Sequence, residues 1–183
     1  MGEISEAPFF IDDSPNLTMM EIRAKARRLK QRHDLKVVAV DYMQLMTSGK
    51  KVESRQQEVS EFSRSLKLIA KELQVPVIAL SQLNRGPEQR QDKKPAISDL
   101  RESGSIEQDA DCVMFVYRES YYLGRAEPRE GTEEHLKWQE DMDRLEHQAE
   151  VVIGKQRHGP IGIVKLAFDA DTTKFGNLAH DGR

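Results

Sequence analysis

The stretch KVVAVDYMQLM, residues 36–46, decides the fold: an apolar run, residues 37–40, ends in Asp41. A parallel strand covered on both faces has this composition, and it delivers its terminal carboxylate to the carboxyl edge of a sheet. In nucleotide-hydrolysing folds an aspartate at that edge, the Walker B position, handles magnesium. It normally acts on phosphates held by a G-x-x-x-x-G-K-[ST] loop. No such loop occurs in the chain. Gly49-Lys50 and Gly154-Lys155 are the only Gly-Lys pairs, and neither has the upstream glycine or the following Ser/Thr.

Working outward, PFFID (residues 8–12) reads as a short strand and DDSPN as the turn after it. Thr18 with Glu21 forms a capping box, and Met19, Ile22, Ala26 and Leu29 give the helix it opens one apolar stripe. After the polar loop TSGKKVES, a second helix over about residues 54–73 buries Val59, Phe62, Leu66, Ile69 and Leu73. VPVIALSQ (residues 75–82) and CVMFVY (residues 112–117) read as further apolar strands of the parallel set. Amphipathic helices between such strands predict a doubly wound α/β core. The tail AEVVIGKQRHGPIGIVKLAFD predicts an antiparallel hairpin around a Gly-Pro turn. Residues 124–148 form a charged surface insertion, with a helix near residues 132–147 anchored by Leu136, Trp138, Met142 and Leu145.

The chain has 183 residues, a net charge of −3, 32% charged and 38% hydrophobic residues. That length supports one domain with a core, and that charge excludes a basic coat, so nucleic-acid contact must come from local patches. The single cysteine, Cys112, excludes an internal disulfide framework and reads as a buried thiol in a reducing compartment. No apolar run is long enough to span a membrane and no signal-peptide pattern opens the chain, so a cytoplasmic protein is expected.

Three predicted strand ends carry polar groups: Asp41, Gln82 and Arg118. An aspartate there can hold a magnesium-bound water, and a glutamine can sense a terminal phosphate or orient a nucleophile. The plain alternatives are a capping or turn aspartate and a solvent-edge amide. SDLRESGSIEQDAD (residues 98–111) offers hydroxyl, guanidinium and backbone N–H groups through Arg101, Glu102 and Gly104. It also reads as a helix start with Ser105 as cap and Gln108 three residues on. In GKQRHGPIG, Lys155 and Arg157 stand two apart on a strand and share a face. They suit either an edge strand that resists aggregation or a cation pair presented to a phosphate chain. His158 belongs to the turn, and the histidines and cysteine show no metal spacing.

DYMQLM, VPVIALSQLNR, SDLRESGSIEQDAD and GKQRHGPIG, in this order, closely resemble the bacterial replicative DNA helicases of the DnaB family. IDDSPNLT and EFSRSLKLIAKEL are similar to it too, and only residues 124–148 depart. The resemblance implies the carboxyl-terminal part of a RecA-like motor domain: a mostly parallel sheet with the antiparallel hairpin at its edge. It further implies a homohexamer around single-stranded DNA, driven by ATP with Mg2+, that meets a helicase loader and other replisome proteins. On this resemblance Asp41 is the Walker B aspartate that holds magnesium through water, and Gln82 links the γ-phosphate to the DNA-facing loops. Arg101, Glu102 and Gly104 match the loop that grips the DNA backbone, and Lys155 and Arg157 match the pair reaching into the neighbouring subunit's nucleotide. In that family the Walker A loop, the catalytic glutamate and the domain that recruits primase lie upstream of PFFIDD. The expectation is therefore a piece of a helicase that is inactive alone, or a non-catalytic module that docks on an intact helicase or its loader. Recombinases and clock-type ATPases share the fold, but RESGSIEQDAD followed by KQR favours the helicase.

Overall fold

Thr18 opens the first helix as its sequence predicts. Its hydroxyl accepts from the Glu21 N–H at 3.3 Å and the Glu21 carboxylate accepts from the Thr18 N–H at 2.9 Å, which starts α1 (Met19–His33). The computed structural model describes residues 7–46, 54–100 and 104–178, and they divide into two units. The first comprises the chain up to Leu83 together with Leu100–Ala110; the second comprises Asn84–Asp99 and the chain from Asp111 onward.

In the first unit, α2 (Arg55–Leu73) is capped by Ser54, whose hydroxyl accepts from the Gln57 N–H at 3.2 Å. The predicted core face is the observed one: Val59, Phe62, Leu66, Ile69 and Leu73 are buried. Ile69 and Leu73 join Ala26 of α1 and Val75 in one cluster, against which Met19, Ile22, Leu35, Val38 and Val77 pack. Across the α1–α2 seam, Arg23 and Arg27 both grip Glu72. The Arg27 hydrogen bond, aided by Arg23, holds the Glu72 carboxyl below its ordinary range.

β1 (Val38–Val40) and β2 (Val77–Ala79) pair in parallel with Val38 opposite Val77 and Val40 opposite Ala79. The segment at residues 8–12 is not a strand: it makes no ladder, and Phe9 and Ile11 are exposed. The turn after it is present, with the Asp12 carboxylate accepting from the Ser14 N–H at 3.1 Å. α4 (Gly104–Asp109) contains Ser105 rather than being capped by it, and the Ser105 and Ser60 hydroxyls are 2.8 Å apart. The four-residue helix α3 (Gly86–Gln89) belongs to the second unit.

That unit is built on β3 (Cys112–Tyr117), β4 (Gln148–Gln156), β5 (Gly162–Asp169) and β6 (Lys174–Asn177), in that order and all antiparallel. The protein is thus α/β, with the expected β4–β5 hairpin at the carboxyl end, but two readings of β3 are corrected. It pairs antiparallel with β4, and its burial alternates: Val113, Phe115 and Tyr117 are buried, while Cys112, Met114 and Val116 are exposed. Cys112 is therefore an exposed thiol, not a buried one. An all-apolar run does not distinguish a strand covered on both faces from one covered on a single face. β6 is not legible in the sequence; it is held partly by Phe175, tilted against the buried Phe168 at 4.9 Å between ring centroids.

The charged segment is helical. α5 (Glu119–Leu123) leads through a short 3-10 turn to α6 (Glu133–Leu145), capped by Thr132. The Trp138 indole N–H donates to the Leu123 carbonyl at 2.9 Å, and His135 stacks on Trp138 while meeting Glu127 at 3.3 Å. Leu136, predicted as an anchor, is 62% exposed, one residue round the helix from the buried face that His135 occupies.

Candidate functional site

The two parallel strands end side by side. The Leu80 N–H donates to the Val40 carbonyl at 2.9 Å, and the Met43 N–H donates to the Leu80 carbonyl at 3.0 Å. Asp41 follows β1 directly and Gln82 lies three residues beyond β2, so both stand at the carboxyl edge where α/β sheets receive ligands. They line one shallow, open concavity with Tyr42, Leu80 and Ser81. Both side chains are accessible, and among the described residues nothing hydrogen-bonds or ion-pairs with the Asp41 carboxylate. No three acidic, histidine or cysteine side chains converge among the described residues. A single open carboxylate fits magnesium, which keeps its waters and shares its ligation with substrate phosphates, better than a cation needing a full protein cage.

Sequence reading misses what holds this edge. After Asp41 the chain turns through a 3-10 turn, Met43–Leu45. From it the Gln44 side-chain amide donates to the Ser81 hydroxyl at 3.0 Å and to the Gln82 carbonyl at 3.4 Å, and accepts from the Gln82 N–H at 3.2 Å. Arg55, at the start of α2, donates to the carbonyls of Gln44 at 2.5 Å and Met46 at 3.1 Å, and also pairs with Glu58. The signal for Gln44 lies inside KVVAVDYMQLM, but an amide in a turn carries no motif.

Lys155 and Arg157 belong to the second unit. Lys155 lies on β4 opposite Val113, beside a bulge between Val113 and Met114. Arg157 is one residue past the end of β4, in the turn, so the two do not share a regular strand face. The Arg157 N–H donates to the Asp111 carbonyl at 2.8 Å, and its guanidinium Nε meets the Asp111 carboxylate at 3.1 Å. Gly154, just before the pair, lies tight against the core. A Cβ there would be 2.8 Å from the Phe115 ring and 3.3 Å from Ile97, so only glycine lets β4 pass over Phe115. Arg118 does sit at the end of β3, but its guanidinium lies over the Phe168 ring, 3.8 Å from the centroid. His158 is exposed in the turn.

Of the loop expected from the sequence to contact phosphate, Gly104 is the first residue of α4, with open space around its Cα; Arg101 and Glu102 lie outside the described residues. The segment Asn84–Asp99 before them is braced in the second unit. The buried Asp99 carboxylate accepts two 2.8 Å hydrogen bonds from Arg90 and one of 2.8 Å from the Ala96 N–H. The Asp99 carbonyl accepts from the Asn84 N–H at 2.7 Å, closing the segment on itself.

The DnaB-like helicase C terminal domain family matches residues 1–177. The chain belongs to that family. Among relatives of the family, the replicative DNA helicase DnaB of Leifsonia xyli is 61% identical over 178 residues, which is 97% of this chain and 35% of that protein. The corresponding protein of Mycobacterium intracellulare is 59% identical over 98% of this chain and 28% of its own length. The DnaB-family chain therefore spans about a third of the relatives it matches. Two solved structures are similar, each with a TM-score of 0.81 over 97% of this chain. One is a DnaB-like replicative helicase described with its interactions with primase, 41% identical and matched over 40% of its length. The other is an ATPase domain, 42% identical and matched over 57% of its length.

Proposed function

We propose that this chain is the carboxyl-terminal part of the RecA-like motor of a ring-shaped, homohexameric replicative DNA helicase, which couples ATP hydrolysis to translocation along single-stranded DNA and unwinding. The observation that carries the reading is the convergence of Asp41 and Gln82 in one concavity at the carboxyl ends of paired parallel strands, in a chain of this family. Asp41 holds magnesium through water, and Gln82 contacts the γ-phosphate and passes its state to the DNA-facing loops. Bound with ATP, magnesium supplies neutralisation of the β- and γ-phosphate charge. Lys155 and Arg157 reach the nucleotide of a neighbouring subunit and stabilise charge there as the γ-phosphoryl group leaves. The helicase works in the cytoplasm with a loader and other replisome proteins, and residues 124–148 are a surface insertion in the motor domain. No helix among the described residues is long and apolar enough to cross a membrane.

Neither Gly-Lys pair in the sequence has the surroundings of a phosphate-binding loop, so the cradle for the phosphates belongs to the parent protein. The purified 183-residue chain is accordingly expected to show no magnesium-dependent ATP turnover, and measurable turnover would contradict this division of labour. Arg101, Glu102 and Gly104 grip the DNA backbone. In the parent helicase Arg101→Ala is expected to weaken single-strand binding about tenfold with little sequence preference. It should also reduce the slope of log affinity against log salt by about 1. An unchanged slope in a salt titration would remove the phosphate contact from the account.

A further inference from the structure

We infer that Gln44 is a positioning residue for Gln82, supplying the backbone rungs that the sheet no longer provides where the γ-phosphate is read. The inference rests on the proposed role of Gln82. β1 pairs with β2 only as far as Val40 opposite Ala79, and the chain then leaves the ladder at Asp41. Ser81 and Gln82 thus have no β1 strand residue opposite them. Gln44 fills that place with one primary amide. Its oxygen accepts from the Gln82 N–H at 3.2 Å, and its nitrogen donates to the Gln82 carbonyl at 3.4 Å and the Ser81 hydroxyl at 3.0 Å.

A primary amide is suited to this, because one group offers both an acceptor and two donors. In the reversed orientation its NH2 would face the Gln82 N–H, donor against donor, so the network fixes which way the amide points. The bracket is itself rigid: Arg55 holds the Gln44 and Met46 carbonyls from the start of α2, and the Met43 N–H is bound to the Leu80 carbonyl. The consequence is a division within Gln82. Its main chain is fixed relative to Asp41, while its side chain remains accessible and able to move between phosphate and loop. A sensor needs a fixed base of this kind, since a shift of about 1 Å in a positioning group costs on the order of 10²-fold in rate.

The test uses the assembled parent helicase, with Gln82→Ala as reference and ATP turnover measured with and without single-stranded DNA. Gln44→Ala is expected to lower the DNA-stimulated kcat about 10–100-fold, in the range for removal of a supporting partner. The KM for ATP should stay within about twofold, with ring assembly and thermal midpoint retained. Gln44→Glu, which keeps the acceptor for the Gln82 N–H and loses both donors, should fall between wild type and Gln44→Ala. The double variant Gln44→Ala/Gln82→Ala should be no slower than Gln82→Ala, because both changes act through one group. Wild-type stimulation in Gln44→Ala beside an impaired Gln82→Ala would overturn the inference. So would fully additive losses, or a loss seen mainly in KM and thermal midpoint. Wild-type stimulation in Gln82→Ala would instead overturn the sensing role on which the inference rests.

Discussion

Arg157→Ala is expected to lower ATP turnover by the assembled helicase at least about 10³-fold, the scale associated with loss of an arginine finger, while nucleotide affinity stays near that of wild type. The geometry separates main chain from side chain at this residue. Its N–H is fixed on the Asp111 carbonyl at 2.8 Å, which sets where the arginine leaves the β4 end. Its guanidinium is 43% exposed and meets an Asp111 carboxylate that is itself 56% exposed. An ion pair so open to water is worth at most about 1 kcal/mol, so giving up this Asp111 contact for a phosphate costs little. Arg157→Lys is expected to remain strongly impaired, because a single ammonium does not reproduce the planar fork that matches phosphate oxygens. Steady-state turnover with a separate nucleotide-binding titration distinguishes the two effects. A variant that loses binding and turnover equally would place Arg157 in ground-state binding instead.

The second large effect concerns stability. Asp99→Ala is expected to destabilise the second unit by about 3 kcal/mol, because it leaves the Arg90 fork and the Ala96 N–H without the acceptor they share. Arg90 is only part-buried and keeps its bond to the Lys94 carbonyl, so some of its loss is recovered, whereas the Asp99 position is 3% exposed and water does not readily replace the missing carboxylate. Asp99→Asn keeps an acceptor for the Ala96 N–H and should cost less. Trp138 is the only tryptophan in the chain and lies in the second unit, so its fluorescence during urea unfolding reports this transition directly. A midpoint unchanged from wild type would mean that the segment Asn84–Asp99 is held by its backbone bonds alone.

The contrast between these sites shows what is legible in the sequence. Both long helices are readable from a 3.6-residue apolar stripe, joined in the first by the capping box of Thr18 and Glu21 and carried in the second by Val59, Phe62, Leu66, Ile69 and Leu73 alone; the Ser54 cap of the second emerges only in the structure. Asp41 and Gln82 are readable because each ends an apolar run. β3 is misread because every one of its residues is apolar, so nothing in CVMFVY records that Cys112, Met114 and Val116 face outward. Residues 8–12 have strand-like composition without a partner strand, and pairing, not propensity, makes a strand. Gln44 and the Arg90–Asp99 pair are invisible for a different reason. Their roles arise from bonds spanning 37–38 and nine positions respectively, and a polar residue in a loop does not announce which distant atom it will meet. Candidate chemistry follows from strand ends; the groups that hold it in place require the fold.

In the proposed motor a catalytic site is shared between protomers, Asp41 serving the nucleotide of its own chain and Arg157 that of its neighbour. Rings mixed from two variants separate this arrangement from a site built within one chain. Homomeric Arg157→Ala and Asp41→Asn helicases are each expected to be nearly inactive. Rings assembled from both are expected to regain ATP turnover, because an intact Asp41 from one variant then faces an intact Arg157 from the other. Mixed rings as inactive as the parents at every mixing ratio, with hexamer assembly verified, would contradict the account.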